Sequence, residues 1–258
     1  MVKVSIVIPA YNEEKRIRRT LGEYATYFTS RYGREYEMWV IVNGCTDRTM
    51  DVVRDVATQH PQMKYTEFRE KIGKGGAIIE GLKRADGEMV GFVDADNATK
   101  PAAFEDLIRH IGAWDGIIAS RWIAGARILK PQPWTRRVAS RGFNLLVKLL
   151  FQIPLRDTQC GAKLFKKAAI KKVLPSLGVT QWAFDIDLLY HLKKNGLRVA
   201  ETPTVWEEPG DSHLKLKKTI PEMLLAVVRL RLVYSPLGFI VREYDWLFVK
   251  EQDKRKKP

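Results

Sequence analysis

The chain has 258 residues, 45% of them hydrophobic, which suits one sizeable α/β domain with a real core and excludes a disordered or collagen-like chain. Its 44 Lys and Arg against 30 Asp and Glu leave a formal charge of +14, which favours a polyanionic partner: nucleic acid, an anionic membrane surface or a phosphorylated substrate. Two cysteines far apart in sequence, Cys45 and Cys160, exclude a disulfide framework and a cysteine-spaced zinc site.

In chain order, Val4 to Ile8 is a short β-branched run that ends at Pro9, and Glu13 to Thr29 has helical composition. Glu37 to Val42 is a second strand, closed by the turn signal Asn43-Gly44. Asp47 to Gln59 reads as a helix, Met63 to Phe68 as a strand and Gly75 to Ala85 as a helix. Met89 to Val93 is a strand that runs into Asp94-Ala95-Asp96; a helix, Pro101 to Ile111, and a strand, Gly116 to Ser120, follow. This alternation predicts a mostly parallel sheet with helices on both faces. In such sheets ligands lie beyond the carboxyl ends of the strands, and Pro9 to Asn12, Asn43-Gly44 and Asp94-Ala95-Asp96 all fall at such ends.

After Arg121 the rhythm changes. Ile123 to Trp134 reads as a loop, Arg136 to Phe151 as a helix, and Asp157 to Phe165 as a turn and short strand. Phe184 to Asn195 is a helix and Leu197 to Thr202 a strand. Two amphipathic helices are expected beyond Glu208: one with a stripe of Met223, Val227, Leu230 and Tyr234, the other with Leu237, Ile240, Val241, Tyr244 and Leu247. The longest apolar stretches fall short of the ~20 residues that cross a bilayer, and no leader is visible. The expectation is a cytoplasmic protein, peripheral at the cytoplasmic face of a membrane, with a domain over 1–215 and an amphipathic, basic-tailed extension over 216–258.

Asp94 and Asp96 flank a small residue at a strand end and can present oxygen to one hard divalent cation, Mg2+ or Mn2+, which also binds phosphate oxygens. Gly73-Lys74-Gly75-Gly76 permits close backbone approach to a phosphate and adds the Lys74 charge; without the Walker spacing it is not a P-loop, and taken alone it reads as a helix start.

Val7 to Glu14, Asn43-Gly44-Cys45-Thr46-Asp47, Gly73 to Ala77 and Asp94-Ala95-Asp96, in that order, resemble the family-2 glycosyltransferases with the GT-A fold. Asp157-Thr158-Gln159-Cys160-Gly161-Ala162-Lys163-Leu164-Phe165 and the run Trp182 to Leu189 resemble the dolichyl-phosphate hexosyltransferases, the glucosyl branch more than the mannosyl. The resemblance implies that Pro9, Tyr11, Glu13, Asn43, Lys74 and Asp94 bind the nucleotide sugar, UDP-glucose favoured, and that Asp96, with Asp94, holds Mg2+ or Mn2+. It places Arg121 at the reacting phosphates, Arg136, Arg137 and Arg141 at the phosphate of a dolichyl or polyprenyl acceptor, and Trp206, Ser212 and His213 in a segment that closes over the donor.

Two departures from the family pattern stand out. Val42 and Asn43 replace a usual acidic pair and Cys45 a usual serine, which opens the choice of nucleobase; Glu207-Glu208 stand where the mannosyl branch carries a basic residue. The reaction implied is one inverting displacement by an acceptor phosphate already ionised at neutral pH, with Asp157 and Asp185 orienting the acceptor or its arginines, or Asp157 acting as a weak base. Turn-capping by Asp157 and helix-capping by Asp185 are the plain alternatives. A hydroxyl acceptor would require one of them as a true base; a non-enzymatic basic module would account for the charge but not for the ordered motifs, so no nucleic-acid partner is expected. Membrane contact is expected through Phe143, Leu146, Val147 and Leu150, the C-terminal helices and Lys254 to Lys257; core packing or subunit pairing by the same helices is the competing account, and the oligomeric state is left open.

Overall fold

The computed structural model describes residues 1–130, 134–178, 181, 183–207, 216–236 and 238–239. Strand β1 (Val4–Ala10) is buried along its whole length, as expected for a central parallel strand covered on both faces. Its neighbours are β2 (Tyr36–Asn43), which carries β3 (Met63–Phe68) on its far side, and β4 (Met89–Phe92), all parallel. The order then departs from a simple parallel sheet. Strand β7 (Lys163–Lys166) inserts antiparallel between β4 and β5 (Gly116–Ser120), and β8 (Val199–Pro203) closes the far edge, giving β3-β2-β1-β4-β7-β5-β8.

The two faces are separated by the period of two along each strand. Val4, Ile6 and Ile8 join a core with helices α1 (Ile17–Tyr32), α2 (Thr49–Gln59) and α4 (Pro101–His110), which supply Leu21, Val53 and Phe104. Val7 and Ile41 turn to the other core, against α3 (Gly73–Arg84), α5 (Trp134–Phe151), α6 (Lys167–Val173), α7 (Phe184–Lys194) and α8 (Leu216–Val233), with Ile78, Val147, Ile170, Leu188 and Val227. Most of the stripe expected on the first of the two C-terminal helices is present: Val227 and Leu230 are buried and Tyr234 packs against the same core, while Met223 is half-buried. Leu237, Ile240, Val241, Tyr244 and Leu247, and Lys254 to Lys257, lie outside the described residues.

Three elements differ from expectation. Helix α1 begins at Ile17 rather than Glu13; it is preceded by a turn in which the Arg16 and Ile17 N–H groups both donate to the Glu13 carbonyl, at 3.0 and 2.9 Å, while the Glu13 and Glu14 N–H groups donate to Thr49 Oγ1 and Asp47 Oδ2, at 2.7 and 3.1 Å. The segment read as a loop after Ile123 contains β6 (Arg127–Lys130), which pairs in parallel with β9 (Val205–Glu207); each is too short for alternation to register. Helix α6 follows directly on β7, so it lacks a turn signal to announce it.

The face of α5 expected to meet a membrane is also corrected. Val147 is wholly buried, and Phe143, Leu146 and Leu150 pack beside it on the core. The outward apolar residues are Trp134, Val138, Leu145 and Leu149, the first and last 74% and 70% exposed. Periodicity finds apolar faces on a helix; which of them the sheet covers depends on tertiary packing. Among the described residues no helix is long and apolar enough to cross a membrane.

Candidate active site

The strand order reverses at β1, with β2 on one side and β4 on the other, so a crevice opens beyond the carboxyl ends of β1 and β4. Beyond β1, Tyr11 is partly exposed, and the Lys71 ammonium lies 4.0 Å from its ring centre. Asn12, at φ +53, accepts the Thr46 N–H through Oδ1 at 2.8 Å and so ties the ends of β1 and β2 together. Asn43 is buried there: its Nδ2 donates to the Ala10 carbonyl at 3.0 Å, while among the described residues its Oδ1 has no hydrogen-bond partner. A buried acceptor without a donor is costly, and a nucleobase N–H would satisfy it. Pro9 is itself buried inside β1, opposite Ile41, so it shapes the strand end rather than offering a surface.

Glu13 receives Arg16 in a two-pronged pair at 2.8 Å on each oxygen. Burial raises its pKa above the ordinary carboxylate value against the pull of Arg16, and Asp96 and Asp94 add to the rise. Those two carboxylates stand just past β4. Asp94 meets Lys74 Nζ at 2.6 Å from the first turn of α3, and Asp96 accepts the Ala98 N–H at 3.0 Å. Asp96 is raised by burial first and by Asp94 second, the signature of two anions sharing one place. Partial desolvation works against the Lys74 ammonium, whose side chain stays 40% exposed, yet the Asp94 and Asp185 carboxylates outweigh it and hold its pKa above the usual lysine value.

Sequence reading missed the support beneath this loop. From α1, Thr20 Oγ1 donates to the Ala95 carbonyl at 2.7 Å, Tyr24 OH to the Thr99 carbonyl at 2.8 Å, and Glu23 accepts Asn97 Nδ2 at 3.0 Å. The signal was a Thr and a Tyr on the buried side of an amphipathic helix, where hydroxyls need partners. On the opposite side Gly161 makes room: a Cβ there would lie 2.0 Å from Asp94 Oδ2.

Asp157 and Asp185 are both paired with cations: Asp157 with an arginine, the kind of partner expected of it, and Asp185 with a lysine instead. Asp157 is wholly buried and receives Arg121 through Nε at 2.7 Å and Nη2 at 2.8 Å, with the Arg121 backbone N–H at 2.9 Å. A carboxylate so engaged holds an arginine in place and is not poised to accept a proton, nor is it a turn cap. Its own N–H and that of Arg156 donate to Glu201, at 3.0 and 2.9 Å, and the next residue, Thr158, donates to Asn144 on α5. Arg121 also lies 5.3 Å from the Trp206 ring centre and 5.7 Å from that of Trp122. Asp185 stands in the first turn of α7 without capping it and meets Lys163 Nζ at 2.5 Å. Arg137 and Arg141 are exposed on α5, with Arg141 5.2 Å from the Trp122 ring centre. The side chain of Arg136, and Trp182, Glu208, Ser212 and His213, lie outside the described residues.

The fold therefore gathers Glu13, Lys74, Asp94 and Asp96 at the crevice, with Asp185 behind Lys74, and links them through the turn 157–161 to the Arg121–Asp157 pair. Among the described residues no three or more His, Cys, Asp or Glu side chains form a metal-holding group. Two adjacent carboxylates suit a hard cation that takes its remaining ligands from phosphate oxygens and water, as Mg2+ and Mn2+ do.

The model of glycosyl transferase family 2 matches residues 5–174. Dolichyl-phosphate beta-glucosyltransferase ALG5C of Trichomonas vaginalis is 33% identical over 243 residues, covering 90% of this chain and 72% of its own. The human dolichyl-phosphate beta-glucosyltransferase is 32% identical over 225 residues, covering 82% and 69%. Among solved structures, glucosyl-3-phosphoglycerate synthase from Mycobacterium tuberculosis, crystallised with Mn2+, UDP and glucosyl-3-phosphoglycerate, superposes with a TM-score of 0.66 at 16% identity, covering 89% of this chain and 80% of that one.

Proposed function

Since this chain belongs to glycosyl transferase family 2, and is a glycosyltransferase, we propose that it moves glucose from UDP-glucose to the phosphate of a dolichyl or other polyprenyl lipid at a membrane surface. The observation that carries this reading is the meeting, at one carboxyl edge, of the Asp94–Asp96 pair and Lys74 with an arginine that a buried Asp157 immobilises. Anionic donor and anionic acceptor each have a cationic place to rest.

Asp94 and Asp96 would hold Mg2+ or Mn2+. When bound, the cation neutralises charge that grows on the departing diphosphate. The Asn43 acceptor and the Tyr11 ring hold the base, with the Asn43 Oδ1 suited to a uracil N–H. Lys74 lies where it can follow a phosphate oxygen as it leaves Asp94. Arg121, held by Asp157 and flanked by two tryptophans, is pre-set toward negative charge and needs no reorganisation as the bond breaks. The acceptor phosphate arrives ionised and attacks in line, so no carboxylate has to take a proton. A hydroxyl acceptor is disfavoured because Asp157 and Asp185, its candidate bases, are both committed to cations.

The lipid side of the reading rests on α5 and α8. Trp134, Val138, Arg141, Leu145, Lys148 and Leu149 are all exposed and fall within about 100° of the α5 circumference at the α-helical period. Beside it α8 exposes Leu224, Leu225, Val228 and Leu232. Apolar residues among basic ones on an in-plane helix suit an anionic lipid interface. Residues 1–215 are then the transferase domain, and α8 opens a lipid-facing extension that also packs on it.

Incubation with radiolabelled UDP- and GDP-sugars plus dolichyl phosphate, followed by organic extraction, tests the reading. Label from UDP-glucose should enter the organic phase only when the lipid phosphate is present. Label that stays aqueous with every donor would overturn it.

A further inference from the structure

Lys163 is a lysine on an interior strand of a seven-stranded sheet. It lies on β7, paired with Phe92 on one side and Ile118 on the other, and none of its surface is exposed. A buried ion pair is poor value as a source of stability, since apolar residues of similar size usually hold a core as well or better. Its contacts show a different use. Lys163 Nζ donates to Asp185 Oδ1 at 2.5 Å and to the Cys160 carbonyl at 2.7 Å.

Two paths leave that ammonium group and end at the same place. Along the first, Cys160 precedes Gly161, whose backbone sits so close to Asp94 that a Cβ would fall 2.0 Å from Oδ2. Along the second, Asp185 follows Phe184, which packs against Gly75 so tightly that a Cβ there would lie 2.6 Å from the Phe184 Cβ, and Gly75 follows Lys74. The paths close in the 2.6 Å Lys74–Asp94 pair. Both glycines mark contacts without slack, so a shift at Lys163 has nowhere to be absorbed before it reaches the donor site.

We infer that Lys163 is a positioning residue for the donor: by clamping Asp185 and the Cys160 carbonyl together, it sets the place of Lys74 and the Asp94 carboxylate. The inference rests on the proposed nucleotide-sugar reading and names the group that holds that site in register.

The test is Lys163→Met in the full chain, read by thermal melting, by calorimetric binding of UDP with Mn2+ and no acceptor, and by separate KM and kcat values for donor and acceptor. UDP affinity and donor kcat/KM should fall about 30- to 100-fold, the scale of a misplacement near 1 Å, with the acceptor KM within about twofold of the parent. Lys163→Gln, which retains a donor but no charge, serves if the methionine variant does not fold, and should show a loss of about tenfold in the same direction. Gly161→Ala presses on Asp94 from the first path alone and leaves the buried pair intact. Its donor defect should be less than additive with that of Lys163→Gln, because both act through one carboxylate. Folded Lys163 variants with parental UDP affinity and donor kcat/KM would overturn the inference, even if their melting temperature dropped. A parent protein that binds no nucleoside diphosphate would instead remove the functional reading beneath it.

Discussion

Lys74 and Asp94 meet at 2.6 Å with 40% and 34% of their side chains open to solvent. Arg121 and Asp157 meet at 2.7 Å with 11% and none, and Lys163 and Asp185 at 2.5 Å with none and 7%. The chemistry is the same and the surroundings are opposite. An accessible pair is weak on its own account and can exchange its partner for a ligand at little cost. A buried pair cannot exchange, because either ion left alone would lose its solvation without replacement. Lys74 and Asp94 can therefore trade partners, whereas Arg121 and Lys163 stay fixed to theirs.

Asp96→Ala is the sharpest way to break that distinction. It removes a rim carboxylate whose pKa is already raised by burial and by Asp94, so the fold should lose nothing while transfer falls by about a thousandfold or more. Label transfer alongside a melting curve checks it; a variant that still turns over would place the cation elsewhere. Asp157→Asn attacks a held pair instead. It leaves the Arg121 guanidinium buried and uncompensated, which costs about 3–5 kcal/mol in urea denaturation, together with activity. If stability were untouched, the buried pair would have no structural share, and the contrast between rim and interior would fail.

A smaller effect is expected from Arg137→Ala combined with Arg141→Ala, both on the exposed side of α5. The acceptor KM should rise about tenfold with donor KM unchanged, in keeping with charge-assisted bonds worth about 1.5 kcal/mol or more. An equal rise for the donor would move these arginines to the other substrate. The smallest change belongs to Leu145→Ser with Leu149→Ser. Both side chains are exposed, so melting should not move, while flotation with anionic liposomes should drop several-fold at low salt. Unchanged flotation would assign that face to another partner.

Much of the sheet's carboxyl edge was legible in the sequence. The runs before Pro9, Asn43 and Asp94 are β-branched and short, and the polar residues after them could only be strand-end loops, so Asp94, Asp96 and Asn43 were found together. The second half was harder to read. Strand β7 is a four-residue run containing a lysine at each end, and neither alternation nor composition places it antiparallel between β4 and β5. Asp157 and Asp185 could be singled out as candidate carboxylates, but their partners lie 36 and 22 residues away, beyond any local pattern. Thr20 and Tyr24 looked like ordinary helix residues because their hydroxyls bond carbonyls 75 residues on.

The sequence by itself determined the alternating strand and helix order, the residues at each strand end, the excess of positive charge and the family. These follow from periodicity, turn chemistry and composition, which act within a few residues. Only the tertiary structure decided which carboxylates stay open and which are neutralised, which side of α5 faces outward, and that a lysine buried inside the sheet meets a carboxylate of α7. Those outcomes depend on which side chains meet across the sheet once water is expelled, when a charge must find a partner wherever the chain has brought one.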